Sequence, residues 1–156
     1  MREAETLAAE LDNTFPLDTL VQRYWLPTIR AAVVLERRDP NRAIELLREA
    51  KAIELGTPTN VPLFLCPIYV RGEAYLAVRD GNRAAAEFQK FVEHRGLVGN
   101  FPWGALARLG LARAYVLQGE NAKARASYQD FLTIWKDADP DIPILKQAKT
   151  EYAKLR

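Results

Sequence analysis

The chain has 156 residues, 49% apolar and 27% charged, and its 22 lysines and arginines against 20 acidic residues leave a net charge of +2. That length and balance describe one domain with a real hydrophobic core, not a disordered tail or a disulfide-held miniature. A net charge that small gives no field to recruit nucleic acid or an anionic membrane. With one Cys (Cys66), one His (His94) and one Ser (Ser127), the serine, cysteine and zinc hydrolase chemistries, which need these residues in combination, lose most of their parts. The chain is therefore read as a non-enzyme with no catalytic residue, no cofactor and no metal site.

Met1-Arg2-Glu3-Ala4-Glu5 leads directly into a charged amphipathic stretch, which is not a targeting pattern. The longest apolar run, Val61 to Val70, contains Pro62 and Pro67 and is half the ~20 residues a membrane-spanning helix needs, so no direct insertion is expected. Ala4, Leu7, Ala8 and Leu11 recur at helical spacing and predict a leading helix within residues 1–15, closed before Pro16. Pro27 suits a first helical turn, so the next helix is expected from Pro27 to Glu36, with Ala31, Val34 and Leu35 on its apolar stripe.

Asp39-Pro40-Asn41 supplies a cap and a first-turn proline for a partner helix over Arg42 to Leu55, ended by Gly56-Thr57-Pro58. The two-helix unit then returns: Pro67 to Val78, a break at Asp80-Gly81-Asn82, and Arg83 to His94. It returns again, after the loop from Gly96 to Pro102, as Trp103 to Gln118 and Ala122 to Trp135 around Gly119-Glu120-Asn121. Asp137, Asp139 and Asp141 lack the Gly and the distant Glu of a calcium loop and read as a capping turn. The last helix, Asp141 to Leu155, has Leu145, Ala148, Tyr152 and Leu155 on its apolar face, with Lys146, Lys149, Glu151 and Lys154 elsewhere.

The three pairs align without gaps inside the pairs. Small residues recur where helices must approach closely: Ala31, Gly72 and Ala112 in the first helices, Ala43, Ala84 and Ala124 in the second. Larger ones face them: Val34, Tyr75 and Tyr115, then Leu47, Phe88 and Tyr128. The turn column is Asp39, Asp80 and Glu120. With Leu111, Ala112, Tyr115, Gly119, Ala124 and Tyr128 in order, the third pair resembles the tetratricopeptide repeat. The resemblance implies an all-α fold, a short α-solenoid of antiparallel helix pairs over residues 24–56, 65–96 and 103–136, with an extra helix at each end (1–15 and 141–156). The alanine spacings of 41 and 40 residues exceed the usual ~34, the surplus falling in the proline-bearing loops between pairs.

Tyr24-Trp25-Leu26-Pro27-Thr28-Ile29-Arg30-Ala31-Ala32, Ala85-Ala86-Glu87-Phe88-Gln89-Lys90 and Trp135-Lys136-Asp137-Ala138-Asp139-Pro140-Asp141-Ile142-Pro143 are similar to the carboxy-terminal repeat region of some bacterial receptor-like serine/threonine kinases and related winged-helix regulators. No Gly-rich phosphate loop, H-R-D or D-F-G sequence occurs here. The leading helix also reads as the second member of a pair without its partner. Both features imply the regulatory tail of a longer protein, cytoplasmic or, on a membrane-anchored kinase, extracytoplasmic.

In such arrays the first helices line a concave groove. The corresponding positions are Trp25, Thr28, Ala32 and Leu35, then Cys66, Tyr69, Glu73 and Leu76, then Leu106, Leu109, Arg113 and Val116. The resemblance thus implies a peptide- or helix-binding site carried by Trp25, Thr28, Leu35, Tyr69, Glu73, Leu76, Leu109, Arg113 and Val116, mostly apolar and unlike the carboxylate clamp of chaperone-tail binders. Glu73 and Arg113 are expected either to pair with each other or to orient a ligand, and Trp25 and Tyr69 either to anchor it or to be covered by Phe64, Phe101 and Trp103. A protein partner is expected, with homo-oligomerisation, a homodimer in the simplest case, as the alternative.

Overall fold

Capping and packing explain where each helix begins and ends. The computed structural model describes residues 2–56, 65–99 and 101–155; the loop positions Pro58, Pro62, Phe64 and Asn100 lie outside them. The described residues are all helical and turn, without a strand: α1 (Arg2–Thr14), α2 (Leu26–Glu36), α3 (Pro40–Leu46), α4 (Cys66–Ala77), α5 (Gly81–Glu93), α6 (Arg95–Val98), α7 (Trp103–Gln118), α8 (Asn121–Ile134) and α9 (Pro143–Ala153). None of them is long and apolar enough to cross a membrane.

Packing follows chain order. Helix α1 lies on α2, α2 on α3, α3 on α4, α4 on α5, α5 on α7, α7 on α8 and α8 on α9, and α4 also touches both α2 and α7. The three intra-pair turns are built alike. The Asp39 N–H donates to the Val34 carbonyl at 3.0 Å, Asp80 to Tyr75 at 2.9 Å and Glu120 to Tyr115 at 2.9 Å. Each spans a left-handed residue, Arg38 (φ 64°), Arg79 (φ 59°) or Gly119 (φ 76°), which is the Schellman closure of a helix. Asp39 and Asp80 then cap the following helix by accepting from the Arg42 and Arg83 amides at 3.1 and 2.9 Å. Glu120 makes no such side-chain cap.

The small columns are core. Ala31, Ala43, Ala84, Ala112 and Ala124 are fully buried. Phe88 shows why: its ring is wedged between α4 and α7, where a Cβ on Gly72 would lie 2.7 Å from it and one on Gly110 2.6 Å. Around this ring Ile68, Tyr75, Phe91 and Leu111 form the central core, and Leu109, Tyr128, Phe131 and Leu145 form a second core between α7, α8 and α9. Close approach here is a packing requirement on the glycines.

Three boundaries differ from the sequence reading. The second helix starts upstream of Pro27: the chain is helical from Thr19, with Asp18 accepting from the Val21 amide at 2.9 Å, and widens to a π-helical turn over Val21–Trp25. Pro27 cannot donate to Arg23 and its ring crowds that carbonyl, so the wider turn sits where the proline requires it. The loop expected from Gly96 contains the short α6.

The third difference is larger. The helix expected over Arg42 to Leu55 stops at Leu46 and resumes only as a 3₁₀ turn at Glu49–Ala52. Nothing in Leu47-Arg48-Glu49-Ala50 breaks a helix by propensity. Instead, fully buried Arg71 of α4 donates to the Leu47 carbonyl at 3.3 Å and holds both oxygens of Glu54 at 2.8 and 2.7 Å. The same guanidinium bonds Glu87 at 2.8 Å, and Lys90 bridges Glu54 and Glu87 at 3.0 and 2.9 Å. Two cations and two anions thus close a neutral quartet inside the stack, and bringing Glu54 to it bends the chain out of the helix. Only Arg71 Nε finds no acceptor among the described residues.

Candidate binding site

Residues of α4, α7, α8 and α9 line an open cleft of about 350 Å³, Tyr128 being the one from α8. Its apolar walls come from Leu76 on α4, Val116 and Leu117 on α7 and Leu155 just past α9, and its charged edge from Arg113, Glu151 and Lys154. Leu76, Arg113 and Val116 are three of the groove positions read from the sequence. Helical spacing aims them there: Arg113 and Val116 are one turn apart on α7, and α4 lies alongside α7.

The charged edge is a defined network. Arg113 donates through Nε and a terminal nitrogen to the two oxygens of Glu151 at 3.0 and 3.1 Å. The Tyr128 hydroxyl donates to the same carboxylate at 2.9 Å, and Gln147 Nε2 at 2.8 Å. Burial works against the charge on Arg113, but the bonds from Glu151 outweigh it and hold the guanidinium above its ordinary range. Burial, and then the bond to Glu151, push the Tyr128 phenol up. Glu151 therefore fixes α9 against α7 and α8 in a geometry a bidentate pair requires.

The other expected groove residues lie elsewhere. Thr28 is buried and donates to the Tyr24 carbonyl at 2.5 Å. Leu109 is 1% exposed, in the core between α7, α8 and α9. Both face inward, so neither is an open groove position. Trp25 is half-buried, edge-on to Tyr24 at 4.9 Å, and Leu35 packs beside Ala31 and Ala43.

Tyr69 is covered. Trp103 lies 4.5 Å from its ring centroid, with Phe88 at 5.7 Å and Phe91 at 6.2 Å. Burial pushes its phenol up, with the neighbouring Glu73 adding to it. Arg113 is committed to Glu151 and not to Glu73. Glu73 is left where burial raises its carboxyl, a shift that Arg113 and the Tyr69 hydroxyl only partly oppose and the Glu151 charge reinforces. The residue that sequence reasoning missed is Glu151, which was placed off the apolar face of the last helix. The signal was its spacing, three past Ala148 and four before Leu155.

The arrangement can bury apolar side chains beside a prepaired charge. Among the described residues no cluster of three His, Cys, Asp or Glu is placed to hold a metal ion. Protein-family models, curated proteins and solved structures yield no match to this chain.

Proposed function

We propose that the chain is a non-enzymatic protein-interaction module, a short array of tetratricopeptide-like helix pairs serving a longer regulatory or signalling protein. Its ligand is a peptide or partner helix that seats apolar side chains between Leu76, Val116 and Leu155. Three matching turns at Arg38, Arg79 and Gly119 and the buried alanine columns support the array. The kinase-associated stretches quoted above support the regulatory setting.

The observation that carries the binding reading is the apolar cleft itself, where Arg113 and Glu151 neutralise each other and Lys154 adds one charge at the edge. Its volume of about 350 Å³ lies at the low end of the ~300–1,000 Å³ of ligand sites. Affinity would come from burying one or two side chains on a preformed surface, with the ion pair setting orientation.

A displayed library of random helical peptides tests this directly. Selected peptides are expected to lose about tenfold or more in affinity against Val116→Asp and Leu76→Asp, while circular dichroism stays unchanged, because a new carboxylate in an apolar cleft is unsolvated by the ligand. Peptides that bind both variants as they bind the parent chain would place the site elsewhere.

A further inference from the structure

Helix α1 is lightly held. Of its 13 residues only Ala8 is buried; Ala4 and Leu11 on the same stripe are half-buried, and Leu7 is 56% exposed. By contrast α5, also 13 residues long, buries Ala84, Phe88 and Phe91. Where α1 lies on α2, Ala4, Ala8 and Ala9 are too small to fill the space, and a gap of about 180 Å³ remains between them and Ile29, Val33 and Val34. An apolar hole of ~150 Å³ accepts a benzene ring, so this gap has room for side chains bulkier than alanine. Even beneath α1, Ile29, Val33 and Val34 are only half-buried.

Two ion pairs do the rest of the holding. Glu5 meets Arg37 at 2.7 Å and Asp12 meets Arg30 at 2.6 Å, while Gln22 donates to the other Asp12 oxygen at 2.9 Å. The four charged side chains are between 38% and 45% exposed, so water and salt compete for each pair. Among the described residues neither arginine has another ion-pair partner. The two carboxylates stand two helical turns apart on α1, and the two arginines stand two turns apart on α2, which runs the other way. Helix α2 therefore presents an apolar strip of Ile29, Val33 and Val34 flanked by two cations, the complement of a helix that is apolar in the middle of its face and acidic at both ends.

We propose that this strip of α2 is a docking site for an acidic amphipathic helix of a partner protein, and that α1 is the strap that fills it when the partner is absent. The partner helix carries carboxylates two turns apart for Arg37 and Arg30, as α1 does, and leucine-sized residues where α1 has Ala4 and Ala9. Those residues bury the apolar surface that the alanines leave half-covered, which supplies the affinity. The arginines supply register and direction. Docking of the partner and release of α1 form a single exchange, because both use the same two arginines.

Amide exchange and peptide binding on the full chain decide it. The α1 amides are expected to exchange about a hundredfold faster than those of α2 around Ala31, through an opening that leaves the other helices protected. Equal protection would make α1 part of the core and overturn the proposal. The binding probe is a labelled, helix-stapled peptide with the sequence of residues 2–14 carrying Ala4→Leu and Ala9→Leu. In the parent chain it must compete with a tethered α1 at high effective concentration. In the variant Glu5→Arg/Asp12→Arg that competitor is repelled by Arg37 and Arg30, and the peptide is expected to bind about tenfold or more tighter than to the parent. Adding Arg30→Glu and Arg37→Glu restores both pairs with reversed sign, and is expected to protect α1 again and abolish peptide binding. Equal affinity for parent and double variant, no binding to either, or binding kept by the fourfold variant overturns the proposal. So does a double variant that loses amide protection throughout α4 and α5, which would show α1 to be structural. None of these positions lines the cleft at Val116, so ligand binding there stands or falls separately.

Discussion

Two arginines in this molecule act on two carboxylates each, with opposite consequences: Arg71 hydrogen-bonds both of its pair, whereas Arg113 bonds Glu151 and reaches Glu73 only through its charge. Arg71 sits fully buried between Glu54 and Glu87, and Lys90 adds a second cation, so the group closes without net charge. Burial alone would raise the Glu87 carboxyl, yet the bonds from Arg71 and Lys90 hold it below its ordinary range. Arg113 has no such helper. It satisfies Glu151, and Glu73 nearby is pushed up by burial. With a second cation beside the pair the second carboxyl is shifted down, and without one burial shifts it up.

The largest effect follows from breaking the neutral quartet. Arg71→Ala leaves Glu54 and Glu87 inside the stack with only Lys90 between them, and loss of a buried partner of this kind costs about 3–5 kcal/mol. Urea unfolding should show a matching fall in midpoint at unchanged slope. A loss under about 1 kcal/mol would mean that water or movement of Glu54 relieves the carboxylates, and the contrast with Arg113 would disappear.

Those same residues show what was legible in the sequence. Helix α7 spans Trp103–Gln118 as its pattern predicts, and the turn register at Asp39, Asp80 and Glu120 was readable because capping and small-residue spacing are local. The break after Leu46 was not, because its cause is Arg71, 24 residues on. Arg71 does lie on the stripe of Ile68, Gly72 and Tyr75, so a buried charge was signalled, but the identity of its partners depends on how the chain folds back. Likewise Leu76, Arg113 and Val116 were named from the repeat resemblance and lie together in the cleft, whereas Tyr69 packs against Trp103 from the next helix pair, and Thr28 and Leu109 turn toward the core.

Arg113→Ala probes the second cluster and should cost less, about 1–2 kcal/mol. Its side chain is 23% exposed and that of Glu151 25%, so water recovers part of what the bidentate pair contributes. Loosening of α9 is the accompanying outcome, measurable as faster amide exchange at Ala148 and Tyr152 with α4 and α5 unaffected. Uniform acceleration across the whole chain would show instead that α9 and the central helices open as one unit.

The smallest effect is the most discriminating. A carboxyl whose folded pKa lies above its unfolded value of 4.5 holds its proton more tightly when folded, so its contribution to stability declines as pH rises through that interval. Glu87, held below the same starting value, acts in the reverse sense: its contribution is present above that value and lost on acidification. Glu73→Gln removes the first trend and leaves the second. The variant should match the parent chain near pH 4 and melt at a higher temperature near pH 7, where the parent must ionise a half-buried group close to the charge of Glu151. A lower melting temperature for the variant at pH 7 would reverse the assignment, making Glu73 a charged partner of Arg113, and the two arginine clusters would then be alike in kind and differ only in depth.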